Sequence, residues 1–186
     1  MKIITVPGIE SKGENSTDRI GAALRDRGYE VHDMEQHVRS AWGARWKVEA
    51  DAKDIIDVAA DGDVVIAHSY GCLKASIAMR GPKLLAVFLF RPAMSRWHMF
   101  PDYQHTKTFC IYSKQDYTIL GGSLLLFHPF GLAGFSGFRS PFVTNLKSHG
   151  AHSDDFKDDS LFNLDYWADF IDNQIKLLKA KNNALR

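Results

Sequence analysis

Residues Val64 to Ala75 read VVIAHSYGCLKA, and the serine inside that run is well suited to nucleophilic chemistry. A β-branched apolar stretch, the pattern of a buried strand, leads straight into Ala67-His68-Ser69-Tyr70-Gly71, and helical spacing follows. A serine on a sharp strand-to-helix turn is lifted above the end of a sheet, where its hydroxyl can meet a substrate; the usual pattern is G-x-S-x-G. Small residues on either side let the chain pass close to its neighbours. Gly71 meets that need, and Ala67 departs from it by one methyl. The competing reading makes Ser69 a plain N-cap of the next helix.

A hydroxyl nucleophile needs a base to take its proton, and the base needs an orienting carboxylate. Asp116 follows the apolar run FCIYS, 47 residues after Ser69, and His152 lies a further 36 residues on, in SHGAHSDDF. Both separations leave room for one or two strand–helix units. His149 competes for the role of base, and Asp102, Asp154 and Asp155 compete for that of acid.

Alternating elements would position these groups. Strands are predicted at 2–6, 29–32, 63–67, 84–90, 108–112 and 142–146. Helices are predicted from Ser16 or Thr17 to Arg27, then at 48–60, 71–80 and 161–179, with KAKNNALR as a solvated tail. In the first helix Ile20, Ala23 and Leu24 share a face and Gly28 is the stop. In the last, Leu164, Trp167, Ile171 and Leu178 share a side. Strands separated by helices predict the α/β class, with a mostly parallel sheet of about six strands between helical layers. In such sheets ligands bind at the carboxyl ends of the strands, where Ser69, Asp116 and His152 all fall.

Composition sets bounds on this reading. The chain has 186 residues, 45% hydrophobic and 24% charged, which fits one domain with a sizeable core. The 23 Lys and Arg balance 22 Asp and Glu, so no nucleic-acid partner is expected, even from the basic–aromatic stretch RSAWGARWK. Cys72 and Cys110 form no disulfide framework, and the eight histidines show no paired ligand spacing, so neither a metal nor another cofactor is expected. MKIITVPG is too short for a signal peptide, and a cytoplasmic location is the default.

These motifs give the chain a resemblance to the α/β-hydrolases over about residues 2 to 178. It looks like a shortened member whose first strand matches the family's third. The resemblance implies the order Ser, Asp, His, hence Ser69 as nucleophile, Asp116 as acid at a strand end, and His152 as base. Gly150-Ala151 before His152 and SDDF after it favour that histidine over His149. Val6-Pro7-Gly8-Ile9 matches the family's HG-apolar loop, so the backbone N–H groups of Ile9 and Tyr70 would form the oxyanion hole. The implied activity is a serine esterase-type hydrolysis of a small-molecule acyl substrate: a carboxylic ester, with thioester or amide as alternatives. An acyltransferase with the same triad and a non-catalytic binding module are the rivals.

Two segments carry less defined expectations. Residues 119–138 (ILGGSLLLFHPFGLAGFSGF) are too rich in glycine for a membrane span. They read as a buried helix with an apolar loop, as an acyl-binding wall including Leu125 and Phe130, or as a patch for a membrane surface or a protein. Arg91 to Thr106 occupies a short lid position, from which Met94 and Trp97 could line a pocket. The acidic run after His152 is expected to supply favourable charge at the start of the last helix.

Overall fold

The computed structural model describes residues 1–9, 17–35, 41–98, 100, 105–125, 131–158 and 163–184, without the side chains of 41–46 and 122–125. Six strands form one parallel sheet in the order β2-β1-β3-β4-β5-β6. They are β1 (Ile3–Val6), β2 (Val31–Asp33), β3 (Val64–His68), β4 (Ala86–Phe90), β5 (Lys107–Tyr112) and β6 (Val143–Lys147). The helices are α1 (Thr17–Asp26), α2 (Ala41–Val58), α3 (Gly71–Ala78), α4 (Tyr117–Leu125), α5 (Ala133–Ser136) and α6 (Leu164–Ala184), with a 3-10 turn at Asp154–Phe156.

Strand residues alternate between two cores, as a pleated sheet requires. Ile4, Val65, Ala67, Val87 and Leu89 face α2, α3 and α5, together with Cys72, Ala75 and Phe138. Ile3, Val64, Ile66, Phe88 and Phe90 face α1 and α6, where Ile20, Leu24, Trp167, Ile171 and Ile175 are buried. Each such fully buried side chain contributes about 1.5–3 kcal/mol. No helix among the described residues is long and apolar enough to cross a membrane.

The element boundaries have local causes. Helix α1 stops in a Schellman motif: Gly28, at φ +86°, donates to Arg25 O, and Tyr29 N donates to Leu24 O. Tyr29 N–H is thereby used in the helix cap, so β2 begins at Val31 rather than at the predicted Tyr29. Helix α2 starts before the predicted Val48, because the apolar spacing used to find it begins only there. Helix α6 runs on to Ala184, well into the segment read as a tail, in exposed positions where Ala and Lys are good helix formers. The 119–138 stretch divides into α4 and α5, with Ile119, Ala133 and Phe138 buried. Residues 126–130 lie outside the described part, Phe130 among them.

Two buried contacts fix α3. Lys74 on α3 pairs with Asp51 on α2 at 3.0 Å, and its ammonium stands 5.2 Å from the Tyr70 ring centroid. At its first residue α3 runs against the end of β1, where a Cβ on Gly71 would lie 2.5 Å from Val6 O and 2.7 Å from Pro7 O. Backbone cannot yield there as a flexible side chain would. Gly71→Ala should therefore cost about 1–3 kcal/mol by overpacking. A melting temperature equal to the wild type's would mean that β1 and α3 do not meet this closely.

Candidate active site

Ser69 follows directly on β3 and has φ +54°, one of two non-glycine residues with positive φ among those described. Its N–H donates to Phe90 O (2.9 Å), and its carbonyl accepts from Cys72 N and Ala93 N (both 3.1 Å). The left-handed backbone breaks the strand and starts α3 within two residues, a strained geometry that persists only where its surroundings enforce it. Tyr70, not Ser69, is the N-cap of α3, and no side chain caps that helix. Ser69 is thus not the plain N-cap of the competing reading. Ile9 packs against Tyr70, which brings the Pro7-Gly8-Ile9 loop beside the serine turn.

Asp116 lies just beyond β5, in the turn before α4, and is fully buried. Its Oδ1 accepts from Ile119 N (3.0 Å), which fixes the carboxylate and leaves Oδ2 to accept from His152 Nδ1 at 2.8 Å. With Nδ1 carrying the proton, Nε2 of His152 is left to act as a base. The His152 ring also lies 4.6 Å from that of His68, the residue before Ser69. Serine turn, carboxylate and imidazole therefore gather at the carboxyl ends of β3, β5 and β6.

The loop carrying His152 is held at several points. Gly150, at φ +86°, donates its N–H to Gln115 Oε1, and its carbonyl accepts from Ser113 Oγ at 3.0 Å. His68 Nε2 donates to His152 O at 3.0 Å. Arg91, just past β4 and the other non-glycine residue with positive φ (+48°), reaches under the loop. Its Nη1 donates to Gly150 O (3.1 Å) and its Nη2 to His149 O (2.9 Å), while Nε pairs with Asp155 Oδ2 (2.5 Å). Asp155 Oδ1 in turn accepts from Ser148 Oγ and Trp167 Nε1.

Asp155 accordingly does not supply charge to a helix start, as the acidic run was expected to do. It is a fully buried counter-ion, and α6 begins only at Leu164. Asp154 caps the same turn from outside, accepting from Ala151 N and pairing with Lys157. His149 is exposed, and Asp102 lies outside the described residues. Met94 is buried in the core beside Phe100 and Phe138. Trp97 is 62% exposed, with the Arg139 guanidinium 4.0 Å from its ring centroid. Leu125 is the last residue of α4. Sequence reasoning missed Arg91 and named Asp155 only as a rival acid, not as its counter-ion; an Arg directly after an apolar strand and an Asp three residues after the histidine were the available signals. Among the described residues, no three His, Cys, Asp or Glu side chains gather to hold a metal ion.

No protein-family model matches the chain, and no curated protein matches it in sequence. Solved structures do. The pyrethroid hydrolase PytH is 13% identical, with a TM-score of 0.64 over 95% of this chain and 97% of its own. Mouse alpha/beta hydrolase domain-containing protein 10 is 15% identical, with a TM-score of 0.62 over 95% and 90%. An extracellular alpha/beta-hydrolase from a Paenibacillus species is 11% identical, with a TM-score of 0.61 over 94% and 98%. At these identities, what is shared is the fold.

His68 gives the site a pH dependence. Burial first, then the neighbouring His152 and Arg91, push its imidazole well below its ordinary value. The folded state therefore keeps His68 neutral, while the unfolded chain takes up a proton below pH about 6.5. Stability should be unaffected by this residue above that pH and fall below it, at up to about 1.4 kcal/mol per pH unit. Denaturant titrations at pH 7 and pH 5 should show a smaller loss for His68→Gln than for the wild type. An equal loss would remove His68 as the cause.

Proposed function

Since the chain has the α/β-hydrolase fold, we propose that it is a serine hydrolase acting on a carboxylic ester, with Ser69 as nucleophile, His152 as base and Asp116 as orienting acid. The observation that carries this reading is the 2.8 Å contact of His152 Nδ1 with buried Asp116, beside a serine in a left-handed turn. Structural neighbours that are hydrolases by name add support.

In the proposed reaction Ser69 Oγ attacks the acyl carbonyl carbon as its proton passes to His152 Nε2. Asp116 holds the ring in the right tautomer and stabilises the imidazolium. The negative oxygen of the tetrahedral intermediate is received by the backbone N–H groups of Ile9 and Tyr70, each such donor being worth roughly 3–4 kcal/mol. On collapse, His152 gives its proton to the leaving alkoxide and the acyl group stays on Ser69. Water, deprotonated by His152, then adds to the acyl carbon, and collapse returns Ser69 and the carboxylic acid. Trp97, Leu125 and Phe130 are proposed to contribute to acyl binding, whereas Met94, expected in that role from the sequence, is packed in the core and is not part of the proposal.

Covalent labelling by a fluorophosphonate probe tests the nucleophile: it should occur in the wild type and vanish in Ser69→Ala. His152→Ala should lower kcat about 10³-fold or more, and His149→Ala far less. Exchanged outcomes would move the base to His149, and an unlabelled wild type would favour a non-catalytic module. If Leu125 and Phe130 line an acyl pocket, kcat/KM should rise from acetyl to octanoyl esters, each buried methylene adding up to about 0.8 kcal/mol. A flat chain-length profile would remove the pocket.

A further inference from the structure

Arg91 is fully buried, lies outside the proposed triad, and is held in a left-handed backbone that an arginine adopts only at a cost. Several features enforce that geometry. Arg91 N donates to Ile111 O at 2.8 Å, and a Cβ on Gly134 would come within 2.8 Å of the Arg91 carbonyl carbon, so α5 presses directly on the turn. An arginine needed only to fill core space would not require this conformation. From this turn the guanidinium reaches the loop from Ser148 to His152.

The guanidinium then meets two successive carbonyls of that loop, His149 O and Gly150 O, while Asp155 balances its charge. The third loop carbonyl engaged from beneath is His152 O, held by His68. Arg91 and Ser69 follow adjacent strands, and both keep their N–H in the ladder, so the support of the loop and the serine turn share one rigid edge.

We propose that Arg91 is a positioning residue, whose planar fork fixes the loop backbone so that the His152 imidazole stays against Asp116 and within reach of Ser69. The inference rests on the hydrolase reading for its catalytic consequence, but not for its geometric one. A lysine can pair with Asp155 as a point charge, yet it lacks the fork that reaches both carbonyls.

The test compares the full-length wild type with Arg91→Lys by two readouts. One is the low-field proton NMR signal of the His152 Nδ1–H held against Asp116, read without substrate and assigned by its absence in Asp116→Asn. The other is the division of the defect between kcat and KM for a soluble phenyl ester. Arg91→Lys should lose or broaden the signal, and kcat should fall about 10²-fold with KM little changed, as misplacement of a catalytic group does. An unchanged signal and kcat alongside a lower melting temperature would overturn the proposal and leave Arg91 a purely structural residue.

If Arg91→Lys fails to fold, Arg91→Met/Asp155→Leu removes both charges and leaves none orphaned. A folded double variant that retains the signal overturns the proposal, and one that loses it supports the proposal. A wild type that hydrolyses no ester defeats the hydrolase reading, while the NMR signal still decides the role of Arg91.

Discussion

The close meeting of β1 and α3 governs the geometry at the top of the sheet. Gly71 lies against the carbonyls of Val6 and Pro7, and one methyl there would intrude on both. The chain passes from β3 to α3 within two residues, through the left-handed backbone at Ser69. Hydrogen bonds from Ser69 N to Phe90 O and from Ala93 N to Ser69 O then hold the turn in place. At the same edge Ser69 is half-buried, and Ile9 packs on Tyr70.

Beneath this edge the electrostatics are divided with little overlap. Asp116 faces His152, and Asp155 faces Arg91. The two buried carboxylates serve different partners from different loops. A buried ion pair adds little net stability, because desolvation offsets the attraction, but losing one partner is expensive. The Arg91–Asp155 pair thus ties the 3-10 turn, α6 and the histidine loop to β4 in a way that tolerates no partial assembly. His68, kept neutral between His152 and Arg91, can brace the loop without adding a competing charge.

Much of this was legible in the sequence, because the signals were local. A β-branched run before Ser69, a glycine two residues after it, and an aspartate at a strand end are patterns that each span only a few residues. The parallel character of the sheet also followed from strand–helix alternation, although the order of its strands did not. What the sequence hid was long-range. Asp155 looks like one of several solvated acids until Arg91, 64 residues away, is brought to it by the fold. The start of β2 was misjudged because Tyr29 spends its N–H in closing α1, a choice between two hydrogen-bond acceptors that composition does not reveal. The identity of the helix cap, Tyr70 rather than Ser69, depends on a single dihedral angle.

The outermost strands carry a consequence for the protein in concentrated solution. An open sheet ends in two rows of backbone groups that another polypeptide could extend, and long flat apolar edges invite that extension. Here β2 is only three residues long, and its last residue, Asp33, is bonded to Thr5 and Arg25. At the other side β6 has one buried residue, Val143, and ends on an exposed lysine, Lys147, which would bring its charge to any added strand. Among the described residues, neither edge presents the long, flat apolar strand that most readily templates extension.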